Sequence, residues 1–144
     1  VRPHPQAHAF FLEMTMSMPP YGSVAWFEIA TDDPDAAQRF YGEVFGWQVA
    51  ADPQAGEAGT DYRLITTAGG DAPAGGILGT GGTMPGHAVF SVAVRDVQEV
   101  CASVERLGGT VVARHEASEG GPANAYLRDP SGNLFGVFSP PAEA

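Results

Sequence analysis

Lysine is missing altogether: all seven basic residues of the chain are arginine. That absence removes lysine Schiff bases, an internal pyridoxal phosphate aldimine and the phosphate-gripping lysine of a Walker loop. Cysteine is nearly missing as well. A lone Cys101 allows no internal disulfide, which suits a reducing cytoplasm. No apolar run approaches the length of a membrane span. Positive charge is scarce, with 7 Arg against 17 Asp and Glu and a formal net charge of −10. Such acidity repels phosphate backbones and anionic lipid, so neither nucleic acid nor membrane is expected as a partner. Cationic small molecules are attracted; solubility alone is the plainer use of the charge. The Gly-rich stretches 69–76 and 79–86 read as loops. They hold no G-x-G-x-x-G and no Gly-Lys pair, and the chain has no G-x-S-x-G elbow, so nucleotide cradles and serine hydrolases find no support.

What is present suits a single domain: 144 residues, 44% of them hydrophobic, enough to bury a core without staples. Residues 1–22 read as an N-terminal arm, with Pro3, Pro5, Pro19 and Pro20 and methionines at 14, 16 and 18. Val1–Glu13 make a poor signal peptide. The arm is either an appendage or a segment that packs on a partner chain.

From Val24 the pattern sharpens. Val24–Thr31 alternates, with Phe27, Ile29 and Thr31 on one face and Trp26, Glu28 and Ala30 on the other. Asp33 can cap a helix whose first position is Pro34. Ala37, Phe40, Tyr41, Val44 and Phe45 then form an apolar stripe, and Gly46 ends it. The same events recur from Ala88. An alternating strand leads to Asp96, with Glu99 three residues on as in a capping box. Val97, Val100, Val104 and Leu107 make the stripe, and Gly108-Gly109 the stop. An offset of 63 residues places Phe27 on Phe90, Asp33 on Asp96, Gly46 on Gly109 and Val49 on Val112. Agreement of cap, stop and strand parity argues for an internal duplication. Further strands are expected around 48–50, 62–66 and 76–78 in the first half. In the second half they fall at 110–113, 125–128 and 134–138, with a turn at Asp129-Pro130-Ser131-Gly132-Asn133.

The run Trp26-Phe27-Glu28-Ile29-Ala30-Thr31-Asp32-Asp33, the later Phe40-Tyr41-Gly42-Glu43-Val44-Phe45-Gly46-Trp47 and the closing Asp129–Asn133 turn resemble the vicinal oxygen chelate superfamily of glyoxalases, bleomycin-resistance proteins and extradiol dioxygenases. The resemblance implies an α+β fold in which two paired βαβββ modules form a cupped mixed sheet around a pocket. It covers residues 23–140, with module 1 at about 23–82 and module 2 at about 86–140. It also implies a divalent metal held by His, Gln or Glu on inward strand positions. Seven residues before the capping aspartates stand Trp26 and Val89; three after Asn133 stands Gly136; the stretch Ala74–Leu78 has no donor side chain. This chain departs from the metal pattern at each of these places, so no metal and no other cofactor is expected.

Candidate ligand-binding residues follow from strand parity. Trp26 and Glu28 share the inward face. Glu28 is a ligand contact or a general base there, or else a rim carboxylate satisfied by Arg63 or Arg128. His87 stands on the face of Val89, as an acid–base group, a displaced metal ligand or an exposed strand start. Ser91 continues that face and leaves room. Tyr62, Tyr126 and Phe138 supply aromatic lining, whose plainer use is core filling. Cys101 reads as an inert buried thiol, and His115-Glu116 as surface. The expected function is metal-independent binding of a small molecule, of the bleomycin-resistance type, sequestering an antibiotic or biosynthetic intermediate. Its ligand is expected to be aromatic or apolar, and neutral or cationic. The alternatives are a metal-free lyase, isomerase or cyclase using Glu28 and His87, and a metal-dependent glyoxalase-like enzyme. A homodimer is expected from the sheet edges and apolar faces that relatives cover by pairing.

Overall fold

The computed structural model describes residues 19–57, 59–116 and 123–139. The chain divides into two compact units, one holding Trp26–Ala88 and the other Val89 onward together with the segment that ends at Ala25.

In the first unit, β1 (Val24–Thr31), whose first two residues belong to the second unit, leads into α1 (Pro34–Phe45), followed by β2 (Gln48–Ala51), a short α2 (Pro53–Glu57), β3 (Tyr62–Thr66) and β4 (Gly75–Gly79). The strands order β2-β3-β4-β1, with β4 parallel to β1 and the other neighbours antiparallel. The local signals act as expected. Asp33 Oδ1 accepts from the Ala36 amide at 3.1 Å, and a cap of this kind contributes about 1 kcal/mol. At the other end Gly46 takes φ 73° and returns its N–H to the Gly42 carbonyl at 2.9 Å, a left-handed turn that a side chain would resist. Ile65 and Ile77 are fully enclosed, and burial of each such side chain contributes roughly 1.5–3 kcal/mol.

The second unit repeats the plan with β5 (His87–Ala93), whose first two residues belong to the first unit, then α3 (Val97–Arg106), β6 (Thr110–His115), β7 (Ala123–Arg128) and β8 (Leu134–Ser139). Its order is β5-β8-β7-β6, again with one parallel pair, β5 with β8, and two antiparallel ones. Both units are therefore βαβββ modules of the same topology, and the fold class is α+β. Asp96 Oδ1 accepts from the Glu99 amide at 3.2 Å. Val97 and Cys101 on α3 pack with Val94, Ala125, Leu127 and Val137 into one buried cluster. Burial pushes the Cys101 thiol above its ordinary value, as expected of an inert cysteine. The Asp129 carboxylate organises the last turn, accepting from the Ser131 and Asn133 amides, each at 2.9 Å, and from Asn133 Nδ2 at 3.0 Å.

Three sequence expectations need correction, and one short helix is additional. Gly75, read as part of the loop 69–76, is the first residue of β4, which extends the expected strand 76–78 by one residue at each end and is held by ladders to β1 and β3. The stripe of α1 does not form a core: no residue of α1 is buried, and Phe40, Val44 and Phe45 are 58%, 54% and 53% exposed. Tyr41 instead stacks on Trp47 at 5.4 Å, so the aromatics of this helix pack on each other at the surface. Leu107 lies beyond the end of α3 at the C-cap and is also exposed. The additional helix is α2, whose five residues are too few to carry an apolar periodicity. Residues 1–18, and with them most of the proposed arm, lie outside the described residues. Gly22 and Ser23 at its end bond to Ala93, which ties them to β5.

Candidate functional site

Helix packing uses one face of each module's sheet, so the other face is where strand parity can present polar groups. On β1 that face carries Trp26 and Glu28. On β3 it carries Tyr62, whose hydroxyl accepts a hydrogen bond from Trp26 Nε1 at 2.9 Å. At the close of the first unit, His87 Nε2 lies 2.9 Å from Glu28 Oε2. Glu28 is 8% exposed, and the His87 side chain is equally enclosed. Four residues singled out from the sequence thus converge on one face of one module: two rings joined by a hydrogen bond, and a carboxylate joined to an imidazole.

The chemistry of the carboxylate–imidazole pair follows from its atoms. An ionised carboxylate only accepts, so with Glu28 ionised the hydrogen sits on His87 Nε2. In the neutral ring that tautomer leaves Nδ1 as the acceptor. The carboxylate then fixes both the orientation and the tautomer of the imidazole. A buried charge so paired is tolerable, whereas an isolated one would not be. The exposed-strand-start reading of His87 is overturned by its enclosure.

Arg63 and Arg128, offered as partners of Glu28 in only one of its readings, serve elsewhere. Arg63, one position from Tyr62, points to the opposite face. It bonds Asp61 at 3.0 Å, Asp35 on α1 at 2.9 Å and Gln38 at 2.8 Å. Asp61 and Asp35 hold its guanidinium above its ordinary range, and Arg63 in turn lowers the Asp61 carboxyl. Arg128 Nη1 donates to the Gly132 carbonyl at 2.9 Å, closing the Asp129 turn. Reading Arg63 as a partner of Glu28 failed because residues 62 and 63 fall on opposite faces of β3.

In the second module, Ser91 pairs with Gly136 and Gly136 with Tyr126 across β5, β8 and β7. Phe138, two residues on from Gly136, shares their face and is buried. Ser91 Oγ occupies the space beside Gly136, 2.5 Å from where a Cβ there would stand. The Tyr126 ring meets His115 edge-on at 6.4 Å, and His115 is exposed, as its surface reading has it. Ser91, Tyr126 and Phe138 therefore form a second set, on the face of this module opposite α3.

The residues present do not fit the metal that the fold family implies. Of the expected donor positions in the first module, Trp26 presents an N–H that Tyr62 accepts, and an indole N–H offers no lone pair to a cation. Gly76, the β4 residue paired with Glu28, has no side chain, and a Cβ built there falls onto the Tyr62 ring and hydroxyl. In the second module Val89 and Gly136 supply no donor either. Glu28 and His87 remain, two donors where such a site needs three or four. Among the described residues no group of three or more His, Cys, Asp or Glu is arranged to hold a metal ion. Sequence parity put Trp26 and Glu28 on one strand face, and the structure adds Tyr62 and His87 as their hydrogen-bonded neighbours. Parity missed the Trp26–Tyr62 bond and the part played by Gly76, although a Gly-Gly pair beside an Ile-Leu strand was the signal to follow.

Comparison with known proteins agrees with this geometry. The profile of the family described as glyoxalase-like domain matches residues 26–138. "Putative glyoxylase CFP32" of Mycobacterium tuberculosis is 35% identical over 124 residues, covering 83% of this chain and 44% of that protein. "Anthracycline biosynthesis protein DnrV" of Streptomyces peucetius is 31% identical over 128 residues, covering 81% and 46%. The chain thus spans less than half the length of these curated relatives. Among solved structures, methylmalonyl-CoA epimerase from M. tuberculosis superposes with a TM-score of 0.57 at 14% identity, over 88% of this chain and 93% of that one. The Mn(II)-bound glyoxalase from Novosphingobium aromaticivorans gives 0.54 at 21%, over 83% and 39%. At such identities the two structures speak for the fold alone. Module topology, opening and closing motifs and the matched profile together place the chain in the glyoxalase-like domain family of the vicinal oxygen chelate superfamily.

Proposed function

We propose that the chain is a metal-independent small-molecule binding protein of the bleomycin-resistance type. Its ligand is a flat aromatic or largely apolar molecule, neutral or cationic, such as an antibiotic or biosynthetic intermediate. The observation that carries this reading is the shared face of the first module, where the Trp26–Tyr62 pair adjoins the buried Glu28–His87 pair. Ring faces attract flat rings and cations, and a fixed carboxylate beside them favours a donor or a positive charge. The net charge of −10 works in the same direction. Relatives named for anthracycline biosynthesis support a biosynthetic intermediate as the ligand. Ser91, Tyr126 and Phe138, all on the second module, are proposed as ligand-binding residues in their own right.

The binding test is titration with proflavine, a flat three-ring cation, followed by quenching of tryptophan emission. Saturable one-to-one binding that survives a chelator and weakens with salt supports the reading. Preference for dicarboxylates or phosphates, tightened by Glu28→Gln, overturns it.

A second reading is favoured by the 2.9 Å contact itself: a metal-free lyase, isomerase or cyclase in which Glu28 orients His87 for proton transfer. Loss of turnover in Glu28→Gln with ligand affinity intact separates that enzyme from a binder. We also propose a cytoplasmic homodimer. Among the described residues no helix is long and apolar enough to cross a membrane. The exposed Phe40, Val44 and Phe45 offer a face for a second copy.

A further inference from the structure

The geometry points to Gly76 as the residue that commits this face to flat rings. The inference rests on the ligand reading above and goes beyond it by naming what positions the aromatic wall. Gly76 lies within β4, paired with Glu28 on one side and with Leu64 on the other. It is buried, and no positive φ requires glycine there. Its need for glycine is spatial. The Tyr62 ring lies across the strand over Gly76, in the volume that any side chain would occupy, and from there its hydroxyl meets Trp26 Nε1 at 2.9 Å. Gly75 does the same for the other face: a Cβ there would stand 2.5 Å from the Phe27 ring. Two adjacent glycines thus seat two rings on opposite sides of one strand, Phe27 toward α1 and Tyr62 on the ligand face.

The consequence is an exclusive choice at position 76. A donor side chain facing Glu28 and a Tyr62 ring flat against the sheet cannot share the same space. The atoms that a Cβ would strike are the far end of the tyrosine, which can swing aside, so a substitution displaces the ring rather than the strand. Gly76 is therefore a positioning residue. It holds no ligand itself, but it sets the orientation of Tyr62 and, through the hydrogen bond, of Trp26.

The experiment reads Trp26 without any ligand. Trp47 is the only other tryptophan, so a Trp47→Phe background makes the emission that of Trp26 alone. In that background Gly76→Ala is expected to shift the emission, and Tyr62→Phe, which removes only the hydroxyl, to shift it with no change at 76. With Tyr62→Ala already in place, Gly76→Ala should add nothing, because no ring is left to displace. Equal shifts from Gly76→Ala with and without the Tyr62 ring, or an unchanged emission in Tyr62→Phe, overturn the inference. The Tyr62→Phe arm keeps it falsifiable even where Gly76→Ala folds poorly. Proflavine affinity should fall about tenfold in Gly76→Ala, the scale of one lost aromatic contact. If the unsubstituted protein binds no proflavine, the ligand reading falls, while the emission series still decides the role of Gly76.

Discussion

Glu28 Oε2 and His87 Nε2 lie 2.9 Å apart although 59 residues separate them in the chain, and both side chains are enclosed. A carboxylate and an imidazole shut away together hold each other in one orientation. In the proposed function the pair is the polar anchor of a binding face, and in the second reading it is an acid–base device. The contact also makes each residue dependent on the other.

Removing one partner of this pair should therefore cost more than replacing it by an isostere. Glu28→Leu takes away the acceptor at His87 Nε2 and is expected to destabilise the fold by about 1–3 kcal/mol. Glu28→Gln keeps an amide oxygen in place and should cost less. Urea unfolding measures both. Equal costs for the two variants would mean that the contact contributes nothing specific.

Trp26 carries the ring face beside Glu28. Trp26→Ala should weaken binding of a flat aromatic ligand by roughly 1–3 kcal/mol, the scale of burying such a ring. Trp47→Phe should leave it unchanged, since Trp47 packs with Phe27, Tyr41 and Phe45 away from the ligand face. Calorimetric titration of both variants decides the matter. A loss in Trp47→Phe and none in Trp26→Ala would move the site to the helix side of the module.

The Asp129 turn gives the molecule a pH dependence of known sign. Hydrogen bonds from Asn133, side chain first and then backbone, hold the Asp129 carboxyl below its ordinary value. A carboxylate depressed in the folded state adds stability that is present above the unfolded value of about 3.9 and is lost as pH falls through the folded one. Asp129→Ala should lower the melting temperature at neutral pH, and the gap should close as the solution is made acidic below about pH 4. A gap independent of pH would show that the turn is held by its backbone alone.

The exposed face of α1 should matter only in an assembly. Phe40→Glu with Val44→Glu puts charge on a surface that is already more than half exposed, so the monomer should lose little stability. Light scattering is expected to give a dimer for the parent protein and a monomer for this variant. A parent chain that is monomeric at micromolar concentration rules out the homodimer.

Local signals in the chain are enough to set out the modules. Alternation in Val24–Thr31, the caps at Asp33 and Asp96, the stop at Gly46 and the Asp129 turn are local signals. Each acts over a few residues, and all appear in the structure where periodicity and capping chemistry put them. Strand parity likewise put Trp26 with Glu28, because side-chain alternation needs no tertiary information. The partners of those side chains were another matter. That Glu28 meets His87, that Arg63 turns toward Asp35 and Asp61, and that Tyr62 reaches Trp26 depend on which strands lie side by side and in what register. A register shift of one residue would reverse every such assignment. Gly76 shows the limit most clearly. The expected strand at 76–78 already holds it, and the ladders to β1 and β3 agree, but only a neighbouring ring explains why it carries no side chain.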